Sequence, residues 1–237
     1  MIASPTELPL SPEALAAFER DGYLSVWRVS DLEEVARLRR LYDAVLAKEI
    51  DMGSDDRMLG GLTRQVMHPS KHHEYFQDNP VQATCQEIAR QLLPGEPAPA
   101  FTFDMLISKA PRHIHDTPWH QDWAYSQMPF AAEGTPVPLV QLTFWVALDD
   151  VDEENSCMQF VPGAQRTLRR HRVISGTADD EGRLLGTENF EPEQVVVCAI
   201  PAGGCTIHTE GTLHYTGPNR SHERIRRAYI LNFRRLV

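Results

Sequence analysis

Lysine is almost missing from this chain. Lys48, Lys71 and Lys109 are the only three, so arginine supplies 20 of the 23 basic residues. With abundant alanine, that bias is a codon-level hint of a GC-rich bacterial genome. Cysteine is scarce as well. Cys85, Cys157, Cys198 and Cys205 are not spaced as metal ligands and are expected to be free thiols in a reducing cytosol. No apolar run approaches the roughly 18 residues needed to cross a bilayer. The opening MIASPTELPLSPEAL lacks the basic and apolar regions of an export signal. A cytoplasmic chain with no membrane partner is expected. A basic surplus is lacking too. The net charge of -10 argues against nucleic acid as a partner, because phosphates need a basic face. Internal repeats, low-complexity tracts and the HExxH zinc motif are absent. Asn219-Arg220-Ser221 matches a glycosylation sequon, but no export signal accompanies it.

What is present is ordinary globular composition: 237 residues, 42% hydrophobic and 24% charged. That suits one domain with a substantial core. Ser11-Pro12-Glu13 starts a helix that stops at Gly22, followed by a short strand, YLSVWRV. Ser30 or Asp31 caps a second helix, in which Leu32, Val35, Leu38, Leu41, Val45 and Leu46 recur at helical spacing. Residues 51–62 read as loop, and a third helix spans about 80–93. From about residue 100 the chain changes to short β-type runs: FTFDMLIS, VQLTFWVAL, CMQFVP, EQVVVCAI, CTIHT and RAYILNFRR. Helices first and strands after predict a mainly β fold, a jelly roll with helical support. The expected division is 1–99 as mostly helical support and 100–237 as the β core, within a single domain over 1–237. Residues 126–138, SQMPFAAEGTPVP, read as a lid over the barrel mouth.

The chemistry centres on Pro118-Trp119-His120-Gln121-Asp122. His and Asp two apart on an extended segment point to one side and can share a metal. A second histidine from a later strand would complete two nitrogens and one oxygen, leaving open positions for co-substrate and dioxygen, as in non-haem iron(II) oxygenases. His208-Thr209-Glu210 competes as a His-x-Glu, and His113 and His115 also alternate. The later context favours His214, in His214-Tyr215-Thr216-Gly217-Pro218-Asn219, with Arg226 twelve residues on. An arginine entering a closed barrel is costly unless it meets an anion, and its fork suits a carboxylate. Arg227 is its neighbour, and alternation alone leaves open which of the two points inward.

Five elements in order then resemble the phytanoyl-CoA dioxygenase family of 2-oxoglutarate oxygenases. They are Met105 to Lys109, His120-Gln121-Asp122, Trp145 to Leu148, Val161-Pro162-Gly163-Ala164, and His214 through Arg226-Arg227-Ala228. The resemblance runs from about Phe101 to Phe233, with only Thr63-Arg64 matching before it. It implies a double-stranded β-helix, the cupin-like jelly roll, with iron(II) on His120, Asp122 and His214. It implies 2-oxoglutarate and dioxygen as co-substrates, Arg226 as salt-bridge partner of 2-oxoglutarate, and Met105 and Trp145 as walls of its pocket. Thr216 is placed to hydrogen-bond the co-substrate, and Arg64 to face the site. Halogenating members replace the carboxylate by Ala or Gly, so Asp122 points to hydroxylation or a related hydrogen abstraction. The expected substrate is a small molecule of bacterial specialised metabolism. Acyl-CoA or a carrier-bound acyl group is the alternative, suggested by the basic run Arg166, Arg169, Arg170 and Arg172. Trp123 and Tyr125 are candidates to stack on substrate. A metal-dependent cupin isomerase and a non-catalytic binding protein are the rival classes.

Overall fold

The computed structural model describes residues 8–126, 131–176, 182–188 and 190–236. Of the expected lid, residues 127–130 lie outside these. The N-terminal helices form where their caps predict. Helix α1 (Pro12–Asp21) begins at Ser11, whose hydroxyl accepts the Ala14 amide, and ends at Gly22 with a left-handed φ of 78°. Helix α2 (Leu32–Leu46) is capped by Asp31, which accepts from the Glu34 amide. A short α3 (Glu74–Gln77) precedes α4 (Pro80–Leu92), which starts at Asn79.

Among the described residues thirteen strands follow the expected β runs and add to them. They are β1 (Tyr23–Val26), β2 (Asp56–Leu59), β3 (Thr63–Met67), β4 (Ala100–Lys109), β5 (Thr117–His120), β6 (Gln141–Ala147), β7 (Met158–Val161), β8 (Arg172–Ser175), β9 (Leu184–Gly186), β10 (Val196–Cys198), β11 (Cys205–Thr209), β12 (Leu213–Thr216) and β13 (Arg226–Arg234). A seven-stranded sheet has the order β1-β11-β6-β13-β4-β3-β2, and a four-stranded sheet the order β10-β7-β12-β5. The pairings are antiparallel, as in a jelly roll. Residue 100 does not divide helix from sheet, because β1, β2 and β3 all lie before it and join the larger sheet. The stretch 51–62 is therefore not simply loop. Its polar, glycine-rich sequence hides β2, an edge strand that needs only one neighbour.

Two cores hold the layers together. Phe18, Leu38, Phe76, Ile88 and Leu106 are buried between the helices and one face of the larger sheet. Trp145, Met158, Phe160 and Ile230 are buried between the sheets. Each fully buried side chain of this kind stabilises the fold by ~1.5–3 kcal/mol relative to exposure. Along β13, Tyr229, Leu231 and Phe233 join the helix-side core, whereas Ala228 and Ile230 join the inter-sheet core. Period-two alternation then turns Arg226 into the space between the sheets and Arg227 out of it. The burial pattern agrees, with Arg226 1% exposed. Arg227 instead binds Asp149 and Asp43 outside, at 2.7 and 2.6 Å.

Candidate metal centre

His120 ends β5 and lies directly across from His214 on β12. Cross-strand partners share a face, and the two rings stand 4.2 Å apart, centroid to centroid. Asp122 opens a 3-10 turn immediately after β5. Its Oδ1 lies 3.5 Å from Nε2 of both His120 and His214. One donor atom from each of these three residues falls within 4.8 Å of the others, so they can hold one metal ion.

The donors are set for that task. His120 donates its Nδ1–H to the Pro118 carbonyl at 2.7 Å, and His214 its Nδ1–H to the Thr212 carbonyl at 2.9 Å. Both bonds leave Nε2 as the lone-pair nitrogen facing the metal position. The Thr143 hydroxyl on β6 donates to Asp122 Oδ2 at 3.0 Å, which ties the carboxylate to the opposite sheet and leaves Oδ1 facing the histidines. Burial, helped by the neighbouring His120 and His208, pushes His214 well below the usual imidazole pKa. The shift favours the neutral imidazole, the form that ligates. Burial alone would raise the Asp122 pKa. The surrounding histidines, His214 foremost, outweigh it and hold the carboxyl well below the usual range. A cluster of two imidazoles and one carboxylate suits iron(II).

Gln121, between the two ligands, was not foreseen. It points the opposite way and is fully buried. Its side-chain amide donates to the carbonyls of Thr167 and Gly211 at 2.9 and 2.6 Å, and its Oε1 accepts the Arg169 amide at 2.7 Å. Its own backbone N–H donates to His171 Nε2 at 3.0 Å. The segment carrying both ligands is thus clamped from behind. The readable signal was the spacing itself, since a residue between two that face the metal must enter the wall.

The metal position opens into a cavity of about 680 Å³ between the sheets, lined by His120, Asp122 and His214 at one level and by Arg226 at another. That volume is in the range of small-molecule sites. Met105, Ile230 and Trp145 sit in one register row across β4, β13 and β6 and line this cavity, as expected of Met105 and Trp145. The Arg226 guanidinium carbon is 5.5 Å from the Trp145 ring centre. Among the described residues its hydrogen bonds are long, 3.4 Å to the Ile107 carbonyl and 3.5 Å to Ser156 Oγ, and Nε has no partner. No carboxylate pairs with it among the described residues. Burial lowers its pKa to about 10, still leaving it charged at neutral pH. A buried, charged fork with unsatisfied donors is costly unless an outside anion meets it, so this end fits the carboxylate of 2-oxoglutarate.

Thr216 lines the same cavity, two residues beyond His214 on the same face of β12. Its Oγ1 accepts from Lys109 Nζ at 3.0 Å. Lys109 spends its other donors on the carbonyls of Thr216 and Gly217, at 3.1 and 2.6 Å. Arg64 does not face the cavity. Alternation along β3 sends Gln65 and Met67 inward, while Arg64 turns out to grip Asp56 at 2.6 Å and the carbonyls of Val45 and Leu46 at the end of α2. The inward basic residue of that hairpin is Arg57, in register with Gln65. His208 and Glu210 line the cavity without joining the three-residue cluster, and His208 Nε2 lies 3.4 Å from Asp122 Oδ2. Tyr125 lines it too, edge-on to His120 at 5.5 Å, but Trp123 packs aside with Ala124, Leu168 and Leu185. Arg166, Arg169, Arg170 and Arg172 do not line the cavity, and Arg172 pairs outside with Glu188 at 2.6 Å. The run thus gives the carrier-bound alternative no support over a free small molecule. Asn219 of the sequon is buried and donates to the Lys109 and Arg224 carbonyls at 3.0 and 2.7 Å, so it serves the fold.

The fold and the ligand set together define a mononuclear non-haem metal oxygenase centre in a jelly roll. Comparison with known proteins narrows the class. Residues 18–228 match the family model of phytanoyl-CoA dioxygenase, and the chain belongs to that family. A probable alpha-ketoglutarate-dependent hypophosphite dioxygenase of Stutzerimonas stutzeri is 26% identical over 219 residues, covering 89% of this chain and 73% of that protein. The crystal structure of EvdO2 from Micromonospora carbonacea var. aurantiaca, complexed with 2-oxoglutarate, superposes with a TM-score of 0.79 at 29% identity, covering 100% of this chain and 94% of that one. The carbocyclase SnoK from nogalamycin biosynthesis shares the fold, with a TM-score of 0.69 at 24% identity over 98% of this chain and 87% of that one. The chain is an iron(II)- and 2-oxoglutarate-dependent dioxygenase acting on a small molecule. No helix among the described residues is long and apolar enough to cross a membrane.

Proposed function

We propose that this dioxygenase hydroxylates an unactivated C–H bond of a small molecule in bacterial specialised metabolism. The observation that carries the reading is one cavity holding both a His-Asp-His cluster and a buried arginine without an acidic partner among the described residues. In this reading His120, Asp122 and His214 hold the iron, and Arg226 pairs with the distal carboxylate of 2-oxoglutarate. Met105 and Trp145 form the wall beside the co-substrate, and the Thr216 hydroxyl, already accepting from Lys109, donates its proton to it. Bound iron would let dioxygen convert 2-oxoglutarate to succinate and carbon dioxide, one oxygen atom entering succinate and the other becoming available to the substrate. The chain's own part is to orient the substrate and exclude water, so that oxidation falls on one carbon. The retained Asp122 leaves no position for a halide, which favours hydroxylation. SnoK, which shares the fold, serves nogalamycin biosynthesis, and a relative named a probable hypophosphite dioxygenase is in keeping with a small substrate. We place the enzyme in the cytoplasm, working as a single domain over 1–237 without nucleic-acid or membrane partners, consistent with its charge of -10.

The test is aerobic turnover over a panel of small natural-product precursors. The expected result is succinate formed one-for-one with a product heavier by one oxygen atom. Succinate formed with a product lighter by two hydrogens would replace hydroxylation by desaturation. Conversion without 2-oxoglutarate consumption would contradict the reading.

A further inference from the structure

The larger sheet changes character along its inward face. Met105, Ile230 and Trp145 make an apolar row towards Arg226. Two residues along each strand, away from Arg226, the row is polar. His208 on β11, Thr143 on β6 and Asn232 on β13 lie side by side and line the cavity. The next inward residues are Glu210, Gln141 and Arg234, again all polar, with Glu210 Oε1 3.9 Å from Arg234. The Thr143 hydroxyl on Asp122 Oδ2 fixes the first of these rows at the level of the metal. The polar rows therefore start beside the ligands and run into the half of the cavity that the co-substrate does not need.

Several of these groups have no hydrogen-bond partner among the described residues. Neither ring nitrogen of His208 makes such a bond, although the residue is 1% exposed and Nε2 lies 3.4 Å from Asp122 Oδ2. Glu210 is 5% exposed and its Oε2 is unpartnered, as is Asn232 Oδ1. Gln121, equally buried behind the ligands, has both ends of its amide satisfied. Buried polar groups left unpaired cost stability, so a cluster of them on one cavity wall marks where a ligand completes the bonding. A carboxylate oxygen and an amide oxygen accept, and imidazole nitrogens donate or accept. A hydrocarbon would leave all of them unpaired. Glu210 repels an anion, and Arg234 beside it opposes a cation. Hydroxyl groups, which donate and accept without charge, satisfy the whole set.

We propose that the substrate is a neutral polyhydroxylated compound whose hydroxyls donate to Glu210 Oε2 and Asn232 Oδ1 and share a hydrogen bond with His208. This rests on the reading that 2-oxoglutarate occupies the apolar half of the cavity at Arg226. A site built to bond hydroxyls rejects analogues that lack them, because its own polar groups are then left unpaired.

The test uses the full chain with iron(II) and saturating 2-oxoglutarate, without oxygen. The polyol probes are myo-inositol and methyl α-glucopyranoside. Cyclohexanol, cyclohexylamine and cyclohexanecarboxylate are the ring-matched controls with one hydroxyl, a cation and an anion. Binding is followed by protein fluorescence and by the shift of the iron–2-oxoglutarate charge-transfer band. At least one polyol is expected to bind about tenfold tighter than each control. Asn232→Leu and Glu210→Leu should each weaken that polyol about three- to tenfold and leave cyclohexanol and 2-oxoglutarate binding unchanged. Both variants should also melt no lower than wild type, since each removes an unpartnered buried group. A residue that merely served the fold would behave in the opposite way. Cyclohexanol bound as tightly as the polyols overturns the proposal, and so does tighter binding of the amine or the acid. The same holds for no polyol binding up to about 100 mM, for polyol affinity unchanged in both variants, and for melting well below wild type in both. A band that never forms before any probe is added rejects the 2-oxoglutarate reading instead.

Discussion

At the metal end of the cavity every ligand is held by the protein itself. His120 and His214 donate to backbone carbonyls, Asp122 accepts from Thr143, and Gln121 clamps the segment from behind. At the other end Arg226 is buried with Nε unpartnered and only long bonds from its terminal nitrogens. The contrast teaches which contacts the fold completes alone and which it leaves for a ligand. A metal needs donors fixed in advance, because their tautomer and direction decide coordination. A co-substrate that comes and goes can supply the missing counter-charge at each turnover.

Breaking the metal end should give the largest effect. Asp122→Ala should abolish iron(II) binding in an equilibrium titration, well beyond the 10–100-fold expected on losing an outer partner of a ligand. Arg226→Met should come next, because it removes one side of a buried charge pair worth ~2–5 kcal/mol. The 2-oxoglutarate Kd should rise about 30-fold or more, while iron affinity holds. The apo-protein should melt no lower than wild type, since an unpaired buried charge is lost. Gln121→Ala sits between the two ends. It leaves the Arg169 amide and two carbonyls without their partner, so iron affinity should fall about tenfold in the same titration.

A smaller effect concerns pH. Burial lowers His171 to about 4 and His113 to about 4. Between pH 6.5 and 4 the unfolded chain takes up these protons and the folded chain does not. Their contribution to stability is therefore complete above pH 6.5 and is lost as pH falls towards 4. Melting temperature should drop across that window, and the double variant His113→Asn, His171→Asn should flatten the slope. The smallest effect belongs to Arg64→Ala. With its guanidinium on Asp56 and the end of α2, it should leave the 2-oxoglutarate Kd unchanged and cost a little stability. A raised Kd there would return Arg64 to the site.

Much of the site was legible in the sequence because strand periodicity carries it. His120 and Asp122 share a side, His214 follows on a later strand, and Met105 and Trp145 lie on inward positions. Arg226 could be separated from Arg227 only once pairing with β4 and β6 fixed which face of β13 meets the cavity. Arg64 failed for the same reason in reverse. One residue along a short strand changes the face, and the hairpin's inward cation is Arg57. The helix caps Ser11, Asp31 and Asn79 act locally and could be read directly or nearly so. For Gln121 only the turn into the wall could be read from spacing; its clamp could not, because its partners come from segments 46 and 90 residues away. Strand β2 escaped notice because its short sequence, Asp-Arg-Met-Leu between glycine-containing flanks, gains strand form from an edge position that no local pattern announces.

The central claim is that one cavity holds both the metal and the carboxylate clamp, and a single spectrum addresses it most directly. Iron(II) and 2-oxoglutarate are added to the apo-protein without oxygen, and the visible absorption is recorded. The account predicts a weak metal-to-ligand charge-transfer band in the wild type that is absent from Asp122→Ala and, at sub-saturating 2-oxoglutarate, from Arg226→Met. No band with iron shown to be bound, or a band of full strength in Arg226→Met at low 2-oxoglutarate, would contradict it.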